Sequence, residues 1–179
     1  MDLEKINKFS WVLTDLIVDL GTTSMFYHEC YKSSDFNPDD NEYHLGKLRM
    51  CHLNAIMALS KLVEVLEGYA NELKACCSAE LVTKTWKYKK LIEDKKIYAF
   101  RSTYVAHVFD QNTKSPLNLS SAQTKFTNIV GNTLDDVQSF YDWISSVLEP
   151  KDDLLTHLVT INGNLASYLN GNELYSKRT

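Results

Sequence analysis

The sequence predicts an all-α fold, specifically an up-down four-helix bundle with an additional C-terminal helix. The first observation is that six Gly and three Pro in 179 residues are too few breakers for the many turns of an all-β fold. The second is that long segments carry apolar residues every third or fourth position, which is the helical period. The length favours one domain, residues 1–170, followed by a frayed polar tail, residues 171–179.

The first predicted helix runs from Leu3 to about Cys30, with Asp2 as its N-cap. Its buried stripe is expected to contain eight residues at helical spacing: Ile6, Phe9, Leu13, Leu16, Leu20, Thr23, Tyr27 and Cys30. A polar loop, residues 33–40, follows and contains the helix breaker Pro38.

The second predicted helix spans residues 42–74 and carries a heptad-like stripe from Leu45 to Leu73. Since the first helix has a similar length, the two are expected to lie antiparallel. A third helix is predicted to begin near Ser78 and to extend towards His107.

The last two predicted helices follow a loop at residues 110–116. Ser120 and Gln123 have the spacing of a capping box, and the apolar stripe of the fourth helix continues to Val147. Pro150 suits the first turn of a fifth helix, whose apolar residues continue to Leu169.

Several function classes lack their sequence signals. No apolar run has the length of a membrane span, and the N-terminus has no signal-peptide pattern, so a cytoplasmic protein is expected. Phosphate-binding glycine loops and metal-ligating spacings are missing, so neither a cofactor nor a metal is expected. The four cysteines are read as reduced thiols: Cys30, Cys51, Cys76 and Cys77.

The chain has a net charge of −4, but the segment from Lys84 to Arg101 is basic, with seven basic and two acidic residues. Aromatic residues alternate with these charges, a pattern that can follow a phosphate backbone and stack on unpaired bases. The alternative is a solvated helix face over core aromatics. The candidate RNA-binding residues are Lys84, Lys87, Lys89 and Lys90.

Arg101 and His107, separated by five residues, have complementary chemistry for cutting RNA. A His can accept the proton of a ribose 2′-hydroxyl, and an Arg can hold the phosphate and stabilise its developing charge. Such a site uses no metal and cannot cut DNA, which lacks the nucleophile. The alternatives are an Arg101 salt bridge to Glu93, Asp94 or another helix, and a His107 favoured by a helix C-terminus.

Helical geometry limits how these two side chains meet. Six α-helical positions rotate the chain by about 600° and rise about 9 Å, so Arg101 and His107 would point about 120° apart. Both reach one phosphate only if the helix loosens before His107, or if two subunits share the cleft.

The segment Arg-x-x-Tyr-Val-Ala-His, late in the third helix of an α-bundle, resembles the signature of the HEPN superfamily in its abortive-infection-type branch. The resemblance covers about residues 1–150, with Arg101 to His107 as its motif. It implies a metal-independent endoribonuclease that acts as a homodimer, with Arg101 clamping the phosphate and His107 as the catalytic residue. It also implies a toxin or anti-phage role, with an antitoxin or regulatory protein as a further partner.

Three nearby residues are candidates for supporting roles: Ser102, Tyr104 and Asp110. Asp110 follows the motif and would orient His107, although a loop Asp also forms turns. The family usually has Asn, Asp or His directly after the Arg, and Ser102 stands there instead. This departure favours the alternative function, a catalytically inactive helical module that binds RNA or a protein partner.

The other histidines give weaker signals. His52 lies on the apolar stripe of the second predicted helix, so a buried, hydrogen-bonded imidazole is expected there. No role is assigned to His28, His44 or His157.

Overall fold

A 29-residue helix, α1 (Leu3–Tyr31), runs through the computed structural model, which describes residues 2–33, 36, 42–105, 119–146 and 152–172. The Asp2 carboxylate accepts the backbone N–H of Lys5 at 3.2 Å, which confirms the predicted N-cap. All eight residues of the predicted stripe are buried. The hydrophobic period therefore located this helix and its core face correctly.

Helix α2 (Glu42–Gly68) packs antiparallel to α1, as predicted. Near one end of the pair, the Phe9 ring stacks on Tyr69 with centroids 4.8 Å apart; near the other, the centroids of Tyr27 and His52 are 6.5 Å apart. Leu45, expected in the buried stripe, is instead 56% exposed.

The predicted continuation of the second helix to Lys74 is wrong. Tyr69 leaves helical geometry, with φ −115° and ψ 24°, and a separate helix, α3 (Ala70–Cys76), follows. The break comes directly after Gly68, a residue with poor helix propensity.

The third predicted helix is also interrupted. Helix α4 (Ala79–Asp94) begins where predicted, and Ser78 is its N-cap, whose hydroxyl accepts the Leu81 N–H at 3.3 Å. The chain turns at Lys95 and Lys96, and Lys96 has a left-handed backbone with φ 56°. A short helix, α5 (Ile97–Phe100), and a π-helix (Arg101–Val105) follow.

The fourth predicted helix divides at Gly131 into α6 (Leu119–Val130) and α7 (Leu134–Ile144). Gly131 has φ 113°, and a Cβ added there would collide with the Asp136 side chain. That side chain is fixed by a capping box with Thr133, so glycine is required at the turn. Helix α6 begins at Leu119, so Ser120 lies inside the helix and the predicted N-cap at Ser120 is wrong.

The last helix, α8 (Leu154–Gly171), is capped by Asp153, whose carboxylate accepts the Thr156 N–H at 2.6 Å. It therefore begins later than predicted, and Pro150 lies outside the described residues. Helix α8 packs against α1, where the Ser10 hydroxyl donates to the Asn162 side chain at 2.7 Å.

The all-α fold class is confirmed, because every regular element among the described residues is helical. The largest side chains with almost no exposed surface come from α1, α2, α3, α4 and α7: Ile6, Phe9, Leu13, Leu20, Tyr27, Ile56, Leu59, Leu62, Leu66, Leu73, Ile92 and Tyr141. In the part of the chain that is described, no helix combines the length and apolar character that a bilayer crossing requires.

Candidate functional site

The segment from Ile97 to Val105, called here the Arg101 segment, is held to the core at its beginning. Ile97 is fully buried and Phe100 is 7% exposed, so the short helix α5 is anchored by its apolar side chains. The backbone directly after Phe100 is π-helical. A π-helix closes i→i+5 hydrogen bonds and frequently occurs at functional sites. The helix is thus loosened within the stretch that separates Arg101 from His107.

The Arg101 guanidinium is held loosely. Its Nη1 lies 3.7 Å from the Glu64 carboxylate on α2, which is beyond hydrogen-bond length. Its carbon Cζ lies 5.9 Å from the centroid of the Tyr98 ring, and Tyr98 itself is about half exposed. The Nε atom is buried with no hydrogen-bond partner among the described residues. The guanidinium therefore retains N–H donors that can bind a further hydrogen-bond acceptor.

Ser102 and Tyr104, the candidate supporting residues, make different contacts. The Ser102 hydroxyl donates to the Ala99 carbonyl of its own helical segment at 3.2 Å. The Tyr104 ring stacks on Phe100 with centroids 5.3 Å apart. Lys125 of α6 donates to the Tyr104 hydroxyl at 3.2 Å and lies 4.9 Å from the ring centroid. Tyr104 therefore brings a cation from α6 to the Arg101 segment, while Ser102 is turned back to its own backbone.

Two of the four candidate RNA-binding lysines have carboxylate partners. Lys84 contacts Asp152 at 2.6 Å. Lys89 contacts Glu67 on α2 at 3.0 Å and Glu93 at 2.6 Å. A phosphate would have to displace these carboxylates before it bound either lysine.

The other two candidate lysines, Lys87 and Lys90, are exposed on α4. Their side chains are accessible to a polyanion from solvent.

His107 and Asp110 lie outside the described residues. The pairing of His107 with Arg101, and the orientation of His107 by Asp110, therefore stay predictions.

His52 belongs to a buried aromatic cluster, which confirms its predicted structural role. Its Nδ1 lies 2.9 Å from the Tyr141 hydroxyl. Tyr141 stacks on Tyr27 with centroids 3.8 Å apart. Burial lowers the pKa of His52 to about 4 and raises the pKa of Tyr141. The imidazole is therefore neutral at physiological pH.

Two further buried histidines were missed in the sequence. His28 is 4% exposed and its Nδ1 lies 3.3 Å from the Gln138 amide nitrogen; burial lowers its pKa. His157 is 5% exposed and its Nε2 lies 2.9 Å from the Thr85 hydroxyl; burial lowers its pKa to about 4. Both partners are distant in the chain, so spacing carried no signal.

No group of three or more His, Cys, Asp or Glu side chains that could hold a metal occurs among the described residues. The four cysteines are free thiols. Burial raises the pKa of Cys51 and of Cys77 to about 11, which disfavours their reactive thiolate forms.

The chain is similar to the solved structure of Vpc_cass2, an integron cassette protein from the mobile metagenome of V. paracholerae. The TM-score is 0.72 at 20% identity, over 92% of this chain and 98% of that chain. No family model and no curated protein matches the chain. The comparison supports the all-α fold, and the resemblance to the HEPN superfamily stays a prediction.

Proposed function

We propose that the protein is a metal-independent endoribonuclease of the HEPN type, with Arg101 and His107 as its catalytic residues. The observation that carries the proposal is the state of Arg101. Arg101 lies in a π-helical turn, its Nε has no hydrogen-bond partner in the described part of the chain, and the Glu64 carboxylate there lies 3.7 Å from its Nη1. A cation held so loosely can exchange Glu64 for a phosphate.

The reaction begins with attack of a ribose 2′-oxygen on the adjacent phosphorus. His107 accepts the proton of the 2′-hydroxyl, while the bond between phosphorus and the 5′-oxygen breaks. The leaving 5′-oxygen takes up a proton from solvent water, His107 returns its proton to solvent, and the upstream fragment ends in a 2′,3′-cyclic phosphate. Arg101 stabilises the negative charge that builds on the phosphoryl oxygens.

The residues around Arg101 fit the binding of an RNA strand. The half-exposed ring of Tyr98 provides a surface on which an unpaired base can stack. The exposed Lys125, which contacts Tyr104, supplies positive charge beside the Arg101 segment. Exposed positive charge on α4 comes from Lys87 and Lys90. Lys84 and Lys89 can bind the RNA backbone only after they release their carboxylate partners.

The proposal extends to the assembly and the biological role. A homodimer would place two Arg101–His107 pairs at one cleft, and this removes the angular constraint within one helix. A toxin or anti-phage role, with an antitoxin or regulatory protein that holds the enzyme inactive, is the context that the HEPN resemblance implies. We expect the protein to act in the cytoplasm.

The test is cleavage of a single-stranded RNA of mixed sequence in the presence of a metal chelator. We expect the wild-type protein to cut the RNA and to leave DNA of the same sequence intact. His107→Ala should lower the rate by at least about 100-fold, because it removes the proton acceptor. His44→Ala, at a histidine outside the proposed site, is the matched control and should cut at the wild-type rate.

Circular dichroism and sedimentation of His107→Ala should match those of the wild type, so that a lost activity is not a lost fold. Wild-type protein that cuts no RNA under these conditions, or a His107→Ala variant that cuts equally well, overturns the enzyme proposal.

A second candidate function is an interaction module that binds RNA or a protein partner without cutting. One observation favours it: the Ser102 hydroxyl, which directly follows Arg101 in the chain, is bonded to the Ala99 carbonyl of its own segment. This module would bind RNA with an affinity that falls as salt rises, and the RNA would stay intact. If RNA does not bind at low salt, the partner of such a module is a protein.

A further inference from the structure

A cleft of about 450 Å³ lies where the turn after α4 meets the junction of α6 and α7. Its volume is within the range of about 300–1,000 Å³ that is typical of small-molecule sites. Six of its lining residues matter for the chemistry: Lys95, Asn128, Asn132, Ser139, Phe140 and Trp143. None of them belongs to the Arg101 segment.

Lys95 places a partly buried positive charge in this cleft. Its ammonium donates one hydrogen bond to the Ile129 carbonyl at 2.9 Å and lies 5.5 Å from the centroid of the Phe140 ring. Burial lowers the pKa of Lys95. A lysine ammonium has three N–H donors, so two remain for a ligand.

The described residues supply no counter-ion for this lysine within 4.0 Å. Asp136 also lines the cleft, but its Oδ2 accepts the backbone N–H groups of Asn132 at 3.2 Å and Thr133 at 3.0 Å. Its carboxylate is thereby committed to the start of α7. A buried charge is costly when unpaired, which favours an anionic group beside the ammonium.

Aromatic rings form the apolar part of the cleft. Phe140 is buried and Trp143 is partly buried, and their ring centroids are 6.1 Å apart with an interplanar angle of 38°. Such rings favour stacking or edge contacts with another planar ring. Asn128 and Ser139 are exposed residues that line the cleft, and the Asn128 amide can hydrogen-bond to polar substituents. The Ser139 hydroxyl donates to the Asp135 carbonyl at 2.8 Å and can still accept a hydrogen bond.

We propose that this cleft binds a small molecule that carries a planar ring and an anionic group, with Lys95 pairing with the anion and the partly exposed Trp143 contacting the ring. This is a ligand site separate from the proposed ribonuclease residues, and it holds whether or not the protein cuts RNA. It explains why a lysine with no carboxylate partner among the described side chains lines a cleft of ligand size.

The competing explanation is that Lys95 only stabilises the C-terminal end of α6, where its ammonium bonds to a terminal carbonyl. That role accounts for one hydrogen bond but predicts no ligand. The two explanations therefore differ in whether an added anion binds.

The experiment is a titration of the full chain, labelled with ¹⁵N, with benzoate and with its uncharged analogue benzamide, followed by the backbone amide resonances of Gly131, Asn132 and Ser139. We expect benzoate to shift these resonances in a saturable way and benzamide to shift them much less. Lys95→Met should weaken benzoate binding by at least about tenfold, the value of a hydrogen-bonded charge.

Lys96→Met is the matched control, since it removes the same charge from the exposed neighbour of Lys95, and it should bind benzoate as the wild type does. Ser139→Phe should block the cleft from an exposed helical position without touching the lysine. It keeps the test decisive if Lys95→Met fails to fold. Benzoate that gives no saturable shift, binds no better than benzamide, or binds the Lys95→Met or Ser139→Phe variant as tightly as the wild type overturns the proposal.

Discussion

His52 and Arg101 are both polar side chains attached to the same aromatic framework, but they are satisfied very differently. Phe126 contacts the His52 ring, with centroids 5.2 Å apart, and also Phe100, which precedes Arg101. His52 is 6% exposed and has a hydrogen-bond partner at 2.9 Å. Among the described residues, Arg101 has a carboxylate at 3.7 Å, the Tyr98 ring at 5.9 Å and no hydrogen-bond partner for its Nε. The comparison separates a polar group used for structure from one available to a ligand.

The largest expected effect is on Arg101. Arg101→Ala should lower RNA cleavage by at least about 100-fold, because one lost donor to the transition state costs that much in comparable sites. Its melting temperature should stay close to that of the wild type, since the ion pair to Glu64 that it loses is a long one.

Single-turnover cleavage and a thermal melt measure both quantities for Arg101. Arg49→Ala, at an exposed arginine of α2, is the matched control and should change neither. A large loss of stability in Arg101→Ala with unchanged cleavage would reverse the comparison and make Arg101 the structural residue.

Tyr141→Phe should have the opposite effect, lowering stability and leaving RNA cleavage unchanged. It removes the hydroxyl that pairs with His52 and leaves a buried imidazole nitrogen unsatisfied, at a cost of about 1–3 kcal/mol of unfolding free energy. Tyr98→Phe, the same change at a half-exposed ring, should cost less than about 0.5 kcal/mol. Urea denaturation compares the two variants. Equal losses would mean that burial does not distinguish the two regions.

The pH dependence of stability tests whether His52 is a buried structural residue. Burial lowers the pKa of His52 and of His157 to about 4 in the folded protein, below the ordinary value for histidine. The unfolded chain therefore binds these protons first, and stability falls as the pH drops from about 6.5 towards about 4. Denaturation at several pH values should show a shallower fall for His52→Gln. An unchanged slope would show that His52 is not protonated on unfolding.

The smallest expected effect is at Glu64, the carboxylate nearest to Arg101. Glu64→Gln removes a competitor for the guanidinium and should raise RNA affinity by about two- to fivefold, in keeping with a partly exposed ion pair. Glu29→Gln, at an exposed residue of α1, makes the same charge change as a control. Binding curves at fixed salt measure both. Equal gains in the two variants would attribute the effect to net charge alone.

The sequence predicted the fold class because helical periodicity is a strong local signal in α1 and most of α2. It missed the helix breaks, for reasons that differ from place to place. At Gly131, the glycine and the Thr133–Asp136 capping box were visible signals of a turn. At Lys96, a left-handed backbone at a residue other than glycine has no such signal.

The sequence predicted which residues belong to the candidate site but not which contacts they make. Arg101 was identifiable from its spacing to His107, but its loose contact with Glu64 depends on how α2 packs against the Arg101 segment. The partners of His157 and of Lys95 come from other helices in the same way. Long-range contacts of this kind follow from the packed structure rather than from local pattern.

The chemical identity of the nucleophile gives the most direct measurement of the central claim. The wild-type protein is incubated, with chelator present, with an RNA oligonucleotide and with the same sequence fully 2′-O-methylated, and the products are weighed by mass spectrometry. We expect cleavage of the unmodified RNA alone, with 2′,3′-cyclic phosphate ends. Cleavage of the methylated strand, or products that never pass through a cyclic phosphate, would contradict it.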